Sequence, residues 1–177
     1  MLNSKLTSPA TFAAAISLTL GLISQSTSAD PLPTGTFKIV GVNGICADVT
    51  LNPNDGTTLY SGQCVTGNLG QQFTYNPLTK QVLPVALPGS CLAEEIAFGV
   101  TTIKVRTCDT SNLRQQFEQW GPDSSGTYYI TGNPLISGYW WCLRNDQTVI
   151  TAENCSPTQL GTPNNSNPKY HWTLPPI

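Results

Sequence analysis

An all-β fold of three pseudo-repeats closed about a pseudo-threefold axis is what this sequence predicts, and three observations carry the prediction. The six cysteines fall into three like-spaced pairs, Cys46 with Cys64, Cys91 with Cys108 and Cys142 with Cys155. Each pair has the same surroundings, a strand-like run before it and a glutamine or aromatic signature after it. No stretch keeps a 3.6-residue apolar period over helical length, and Gly or Pro interrupts the chain every few residues.

Residues 1–29 stand apart. Thr11 to Ile23 is an uncharged, mostly apolar run behind one early cation, Lys5, and the polar stretch that follows ends in Ala29, with Thr27 as the second small residue around a cleavage point. This reads as a secretory signal peptide, too short to span a bilayer. Nothing from Asp30 to Ile177 has the apolar length of a transmembrane helix, so a soluble, secreted product without membrane insertion is expected.

Removing 29 of the 177 residues leaves 148, enough for one compact core, and the domain is assigned to 30–177. Without Lys5 the chain carries 7 basic and 10 acidic side chains, and the basic ones are scattered. Nucleic-acid binding, which needs a concentrated basic footprint, is not expected. An even cysteine count behind a secretory leader implies disulfides. A zinc site would need ligands a few residues apart, but the closest cysteines are Cys142 and Cys155 and the only histidine is His171. No metal and no cofactor are expected.

Six cysteines allow fifteen pairings, and the repeat selects one pair within each copy. The partners have 17, 16 and 12 residues between them. The preceding strand-like runs are Phe37 to Val40, Gln81 to Val85 and Tyr128 to Thr131. β-branched stretches lead towards the second cysteine at Thr57 to Tyr60, Thr101 to Val105 and Thr148 to Thr151. Then come Gln71-Gln72-Phe73 and Gln115-Gln116-Phe117, each with its aromatic nine residues past the cysteine. The third copy has Tyr170-His171-Trp172 eight residues later than that, the extra length falling in Ser156 to Pro168. The repeats are therefore set at about 34–77, 78–124 and 125–177. Tight turns are expected at Asn54-Asp55-Gly56, at Asn76 to Lys80 and at Gly121 to Gly126. A unit of this size cannot bury its apolar face alone, so the three must share a core. Each disulfide then closes a short loop, worth on the order of 3 kcal/mol.

Cys-x-Asp, a β-branched strand into a second Cys and then Gln-x-aromatic, repeated behind a signal peptide, resembles the ricin B-type (R-type) lectins. The clearest match runs from Cys46-Ala47-Asp48 through Cys64 to Gln71-Gln72-Phe73. The resemblance implies a β-trefoil of twelve strands with a Gln-x-Trp motif in each subdomain. It also implies shallow sugar sites, in which an acid accepts hydroxyl hydrogen bonds, an aromatic ring stacks on the pyranose and an Asn before the Gln-x-Trp adds a bond.

In the first copy Asp48 stands at the acid position, but Gly62 holds the stacking position and Gly70 the Asn position. Tyr60 is the replacement ring, given a shifted loop, and Asn68 the replacement amide. The carbohydrate-binding set is therefore Asp48, Tyr60, Asn68 and Gln71; the competing reading is that Asp48 and Gln71 only satisfy backbone groups. The second copy has Ala93, Arg106 and Arg114 at these positions, and the third has Arg144 and Glu153. Both are degenerate by the family pattern. Glu94 and Glu95 are read as adjacent acids on a solvated turn. Tyr139-Trp140-Trp141 is the largest aromatic cluster; alternation would bury one Trp while exposing the other as a stacking platform, but the cluster is read first as core and inter-repeat packing.

No catalytic site is expected. His171 lies inside the third glutamine/aromatic position, Glu94 and Glu95 would point to opposite faces of a strand, and no nucleophile or phosphate-loop motif occurs. Asn164-Asn165-Ser166 is a glycosylation acceptor. The leading expectation is a secreted lectin whose partners are glycans or glycoproteins. The alternative is a trefoil that has lost sugar binding and acts as a protein-binding module or protease inhibitor through the 156–168 loop.

Overall fold

A computed structural model describes residues 31–49, 58–122, 125–133, 135, 139–146, 148–155 and 167–177. The first strand is interrupted, giving β1 (Thr36–Phe37) and β2 (Val40–Gly41), and is followed by β3 (Ile45–Val49), β4 (Leu59–Gln63) and β5 (Phe73–Asn76). The second repeat supplies β6 (Gln81–Pro84), β7 (Ser90–Ala97), β8 (Val100–Thr107) and β9 (Phe117–Trp120). The third supplies β10 (Tyr129–Gly132), β11 (Trp141–Arg144), β12 (Thr151–Asn154) and β13 (Trp172–Thr173). No α-helix occurs among the described residues; the helical turns are one-turn 3-10 segments.

The first and last strands of each repeat form a closed ring. β1 pairs β5, β5 pairs β6, β9 pairs β10, and β13 pairs β2. The two remaining joints each rest on one pair of residues. Phe117 N–H donates to the Lys80 carbonyl at 2.8 Å, and Tyr128 and Trp172 exchange backbone bonds of 2.8 and 2.9 Å. The middle strands form three hairpins, β3–β4, β7–β8 and β11–β12, which also meet one another. Thr58 bridges to Lys104, Tyr60 to Val149, and β8 pairs β12 through Thr102–Thr151 and Thr101–Ala152. A closed ring capped by three touching hairpins leaves few free edges. This is the β-trefoil.

The aromatic residue of each signature fills the shared core. Phe73, Phe117 and Trp172 have no exposed surface, and Trp172 Nε1 donates to the Leu143 carbonyl at 3.0 Å, so the large indole leaves no donor unpaired. The disulfides pair within repeats, with Cα separations of 5.0, 5.0 and 5.7 Å.

The repeats also lock across their seams. At two seams a buried polar side chain of one repeat packs on a glycine of the next. Asn145 packs on Gly41, where an added Cβ would lie 2.8 Å from its Nδ2, and Glu94 packs on Gly132, where a Cβ would lie 2.0 Å from its Oε1. Glu94 is therefore not on a solvated turn. It lies in β7, buried to 6% exposure, because strand alternation aims it inward with Leu92 while Glu95 faces out. The expected turn at Asn54-Asp55-Gly56, the segment 1–29 and most of the 156–168 loop, with Asn164, lie outside the described residues.

Candidate functional site

Strand β3 sets the geometry. Alternation sends Ala47 and Val49 into the core and Cys46 and Asp48 to the opposite face, where Asp48 remains part-exposed. Asp48 stands directly across from Tyr60 on β4, and Cys46 directly across from Gly62. Tyr60 is thus held beside Asp48 by the ladder itself, on the same face, and no loop shift is needed to bring it there.

The loop after Cys64 closes the site from below. A 3-10 turn, Leu69–Gln71, is capped by Asn68, whose Oδ1 accepts from Gly70 N–H at 2.9 Å. Gln71 is 1% exposed. Its Oε1 accepts from Val65 N–H at 2.8 Å, and its Nε2 donates to the Gln63 carbonyl at 2.8 Å and to Asp48 Oδ2 at 3.0 Å. Asn68 Nδ2 donates to the same Oδ2 at 3.1 Å. One carboxylate oxygen is thereby pinned by two amides, and the other, Oδ1, makes no hydrogen bond with the described residues. A Cβ on Gly70 would lie 2.6 Å from that Oδ1 and 2.7 Å from the Val49 carbonyl oxygen, so a side chain there would have to displace the carboxylate and the adjoining backbone. The structure brings Asp48, Asn68, Gln71 and Tyr60 together.

The same scaffold recurs twice with different heads. Asn112 caps Leu113–Gln115 and Asn167 caps Pro168–Tyr170, each accepting from the residue two further on. Gln115 repeats the bonds of Gln71, accepting from Asp109 N–H at 2.8 Å and donating to the Thr107 carbonyl at 2.9 Å. The signal for these caps is an Asn three positions before the Gln or Tyr in every copy, of which the sequence reading singles out only Asn68, as a ligand amide and not as a cap.

In the second repeat Ala93 removes the acid, and a cavity of about 600 Å3 opens beside Glu94, Glu95, Arg106, Arg114 and Gln115. Arg106 is ion-paired with Glu95 across the hairpin. Burial pushes the Glu94 carboxyl up to about 7, against the nearby Arg114 guanidinium, which lowers it. In the third repeat Arg144 replaces the acid and is held by Asp146 and Glu153. Glu153 also accepts from Tyr170 Oη at 2.8 Å and Lys169 Nζ at 3.1 Å. That network neutralises the position and does not present a carboxylate in the manner of Asp48.

Both tryptophans of the aromatic cluster are packed, and neither is the exposed indole that alternation alone would give. Trp140 is buried edge-on against Trp120 with centroids 5.1 Å apart, and Trp141 lies half-buried against the main core. His171 is half-buried, with Nδ1 2.8 Å from Thr127 Oγ1 and its ring edge-on to Tyr129. Among the described residues no group of three or more potential metal ligands occurs.

No protein-family model matches the chain, and no curated protein is similar to it in sequence. Solved structures are similar in fold. The Vibrio vulnificus hemolysin/cytolysin β-trefoil lectin, with N-acetyl-D-lactosamine bound, matches 79% of this chain and 93% of its own at 15% identity, with a TM-score of 0.60. The earthworm R-type lectin C-half, in complex with GalNAc, matches 79% and 97% at 14% identity, with a TM-score of 0.56. A non-toxic type II RIP homologue from Momordica charantia, in complex with α-methyl-D-galactoside, matches 78% of this chain and 47% of its own at 15% identity, with a TM-score of 0.56.

Proposed function

We propose that this β-trefoil, which shares its fold with sugar-binding lectins, is a secreted R-type lectin that binds glycans through its first repeat without catalysis. One observation carries the reading: Asp48 is held by Asn68 and Gln71 through one oxygen, leaving the other to accept ligand hydroxyls. A carboxylate fixed before the ligand arrives loses little freedom on binding, and a charged acceptor bonds hydroxyls more strongly than a neutral one. Tyr60, across the ladder, supplies the ring on which a pyranose stacks. Residues 1–29 act as the leader and Asn164 as the glycan acceptor. No helix among the described residues is long and apolar enough to cross a membrane, and all six cysteines are paired, in keeping with an oxidising compartment.

N-acetyl-D-lactosamine, GalNAc and α-methyl-D-galactoside, held by the similar structures, are the first probes. The disulfide-intact protein is to be screened on a glycan array beside Asp48→Ala. Loss of a hit in the variant, with the thermal transition retained, supports the first-repeat site. An unchanged hit excludes Asp48, and a blank array for the parent protein refutes the lectin reading in favour of a protein-binding trefoil.

A further inference from the structure

Among the described residues the second-repeat hairpin is longer than its counterparts. β7 and β8 have 8 residues each, against 5 in β3 and β4 and 4 in β11 and β12. β8 last pairs its neighbour β12 at Thr101–Ala152, and the ladder between β7 and β8 runs on to Ala97–Val100. The extra length carries Ile96-Ala97-Phe98-Gly99-Val100, five consecutive exposed residues without one polar side chain. Ile96 and Val100 are each 51% exposed, and Phe98, at the turn, has its whole surface in solvent.

Folding does not call for these residues. Phe98 sits at φ +50, where a bulky side chain is disfavoured and Asn is the usual choice before Gly99. A run of exposed apolar residues at a strained turn lowers stability and points to a contact outside the chain. We infer that the β7–β8 tip is a lipid contact, dipping into the headgroup and acyl boundary of a bilayer with Phe98 deepest and Ile96 and Val100 behind it on opposite faces of the hairpin. The inference goes beyond the lectin reading and stands without it.

Size, depth and charge select this occupant. A fully exposed Phe with two half-exposed aliphatic residues offers on the order of 400 Å2, about half of the ~800 Å2 per partner that a specific protein interface buries, so the tip is too small to hold a second copy of the chain. A bilayer needs no matching surface, only an apolar end that can leave water. From Thr101, the last residue tied to β12, to the turn is about 7 Å at ~3.3 Å per residue, within the ~5–10 Å by which interfacial segments enter the boundary. The tip itself is uncharged, and the ions that follow on the outer face of the hairpin are already matched: Glu95 pairs with Arg106, and Lys104 Nζ donates to Thr58 Oγ1. Insertion therefore desolvates no unpaired ion and needs no anionic lipid. The sequence expectation of no membrane insertion rested on the lack of an apolar helix, and a shallow contact of this kind lies outside it.

The test mixes the disulfide-intact protein with sugar-free vesicles of phosphatidylcholine, with and without phosphatidylserine, and reads binding by co-sedimentation. The parent, Asp48→Ala, Phe98→Asn and Val100→Thr are compared, and Phe98→Trp is titrated with vesicles whose acyl chains carry bromine. Phe98→Asn gives the turn its preferred residue, so it should fold at least as well as the parent, which its thermal transition checks. The parent and Asp48→Ala bind phosphatidylcholine alike, with no need of phosphatidylserine. Phe98→Asn binds about 10–100-fold more weakly, the worth of one buried aromatic side chain, and Val100→Thr loses less. The indole introduced in Phe98→Trp is quenched by the brominated chains beyond any quenching of the parent's own tryptophans. No binding by the parent, equal binding by Phe98→Asn, or binding only to phosphatidylserine that salt abolishes overturns the inference and leaves the lectin reading untouched. Self-association of the parent that Phe98→Asn abolishes also overturns it, because a second copy then covers the tip.

Discussion

Glu94 couples the stability of the fold to pH through one buried carboxyl. Its Oε1 has no hydrogen-bond partner among the described residues, its backbone lies on an inner strand of the second repeat, and its head packs on Gly132 of the third. Burial raises its pKa from 4.5 to about 7, with Arg114 opposing the rise. A raised carboxyl pKa means that the folded state holds a proton which the unfolded chain releases, so stability is greatest below about 4.5 and is lost as pH climbs towards and past 7. At roughly 1.4 kcal/mol per pKa unit, the full loss is about 3 kcal/mol. Glu94→Gln keeps the volume and cannot ionise. Urea unfolding of the disulfide-intact proteins between pH 5 and 8 should show parent stability falling while the variant stays flat, the curves separating by about 3 kcal/mol at pH 8. Other shifted carboxyls act outside this window. A hydrogen bond from Ser111 lowers Asp109, and one from Arg144 lowers Asp146; burial raises Glu153, but bonds from Tyr170 and Lys169 outweigh it. Such depressed groups lose their contribution only as pH falls into the acid range. Parallel curves for parent and variant would refute the argument.

The seam and the hairpin tip yield two further expectations. Gly132→Ala puts a Cβ 2.0 Å from Glu94 Oε1 and should cost about 1–3 kcal/mol, and in a Glu94→Ala background most of that cost should vanish; a double-mutant cycle with no coupling would show that the two do not share the space. Phe98 occupies the first position of the two-residue β7–β8 turn at φ +50, fully exposed, followed by Gly99 at φ +79. Positive φ at both positions favours Asn-Gly, so Phe98→Asn should stabilise the protein by up to about 1 kcal/mol, and a lowered melting temperature would contradict the turn assignment.

Features repeated at fixed offsets were legible in the sequence. The cysteine pairs and the buried aromatics Phe73, Phe117 and Trp172 follow from local spacing and strand alternation. Features set by contacts between repeats were not. Nothing near Glu94 in the sequence announces that Gly132, far along the chain, clears room for it, and so the acid pair looks like a surface turn. Tyr60 looked displaced when measured from Cys64, but its place is set by pairing with Asp48 across the hairpin, a register that linear distance from the cysteine does not report.

The arrangement separates the residues that hold the fold from those that meet a ligand. In all three repeats an Asn cap closes a one-turn helix, a buried Gln or Tyr follows, and an aromatic enters the core. The positions above that scaffold are Asp48 with Gly70, Ala93 with Arg114 and Arg144 with Lys169, and they differ in size and charge in every copy. Each combination is sterically self-consistent. In the first repeat the backbone lies close enough that a Cβ on Gly70 would be 2.6 Å from Asp48 Oδ1 and 2.7 Å from the Val49 carbonyl, whereas alanine on the strand of the second repeat leaves space in which arginine is accommodated. Restoring an acid at Ala93 therefore should not by itself recreate the first-repeat site. Ala93→Asp with Arg114 retained sets a carboxylate in the same cavity as a guanidinium that can pair with it, and with Arg114→Gly the second repeat should gain an acceptor pinned by Asn112 and Gln115 and free for ligand hydroxyls, read as sugar binding that the single variant lacks.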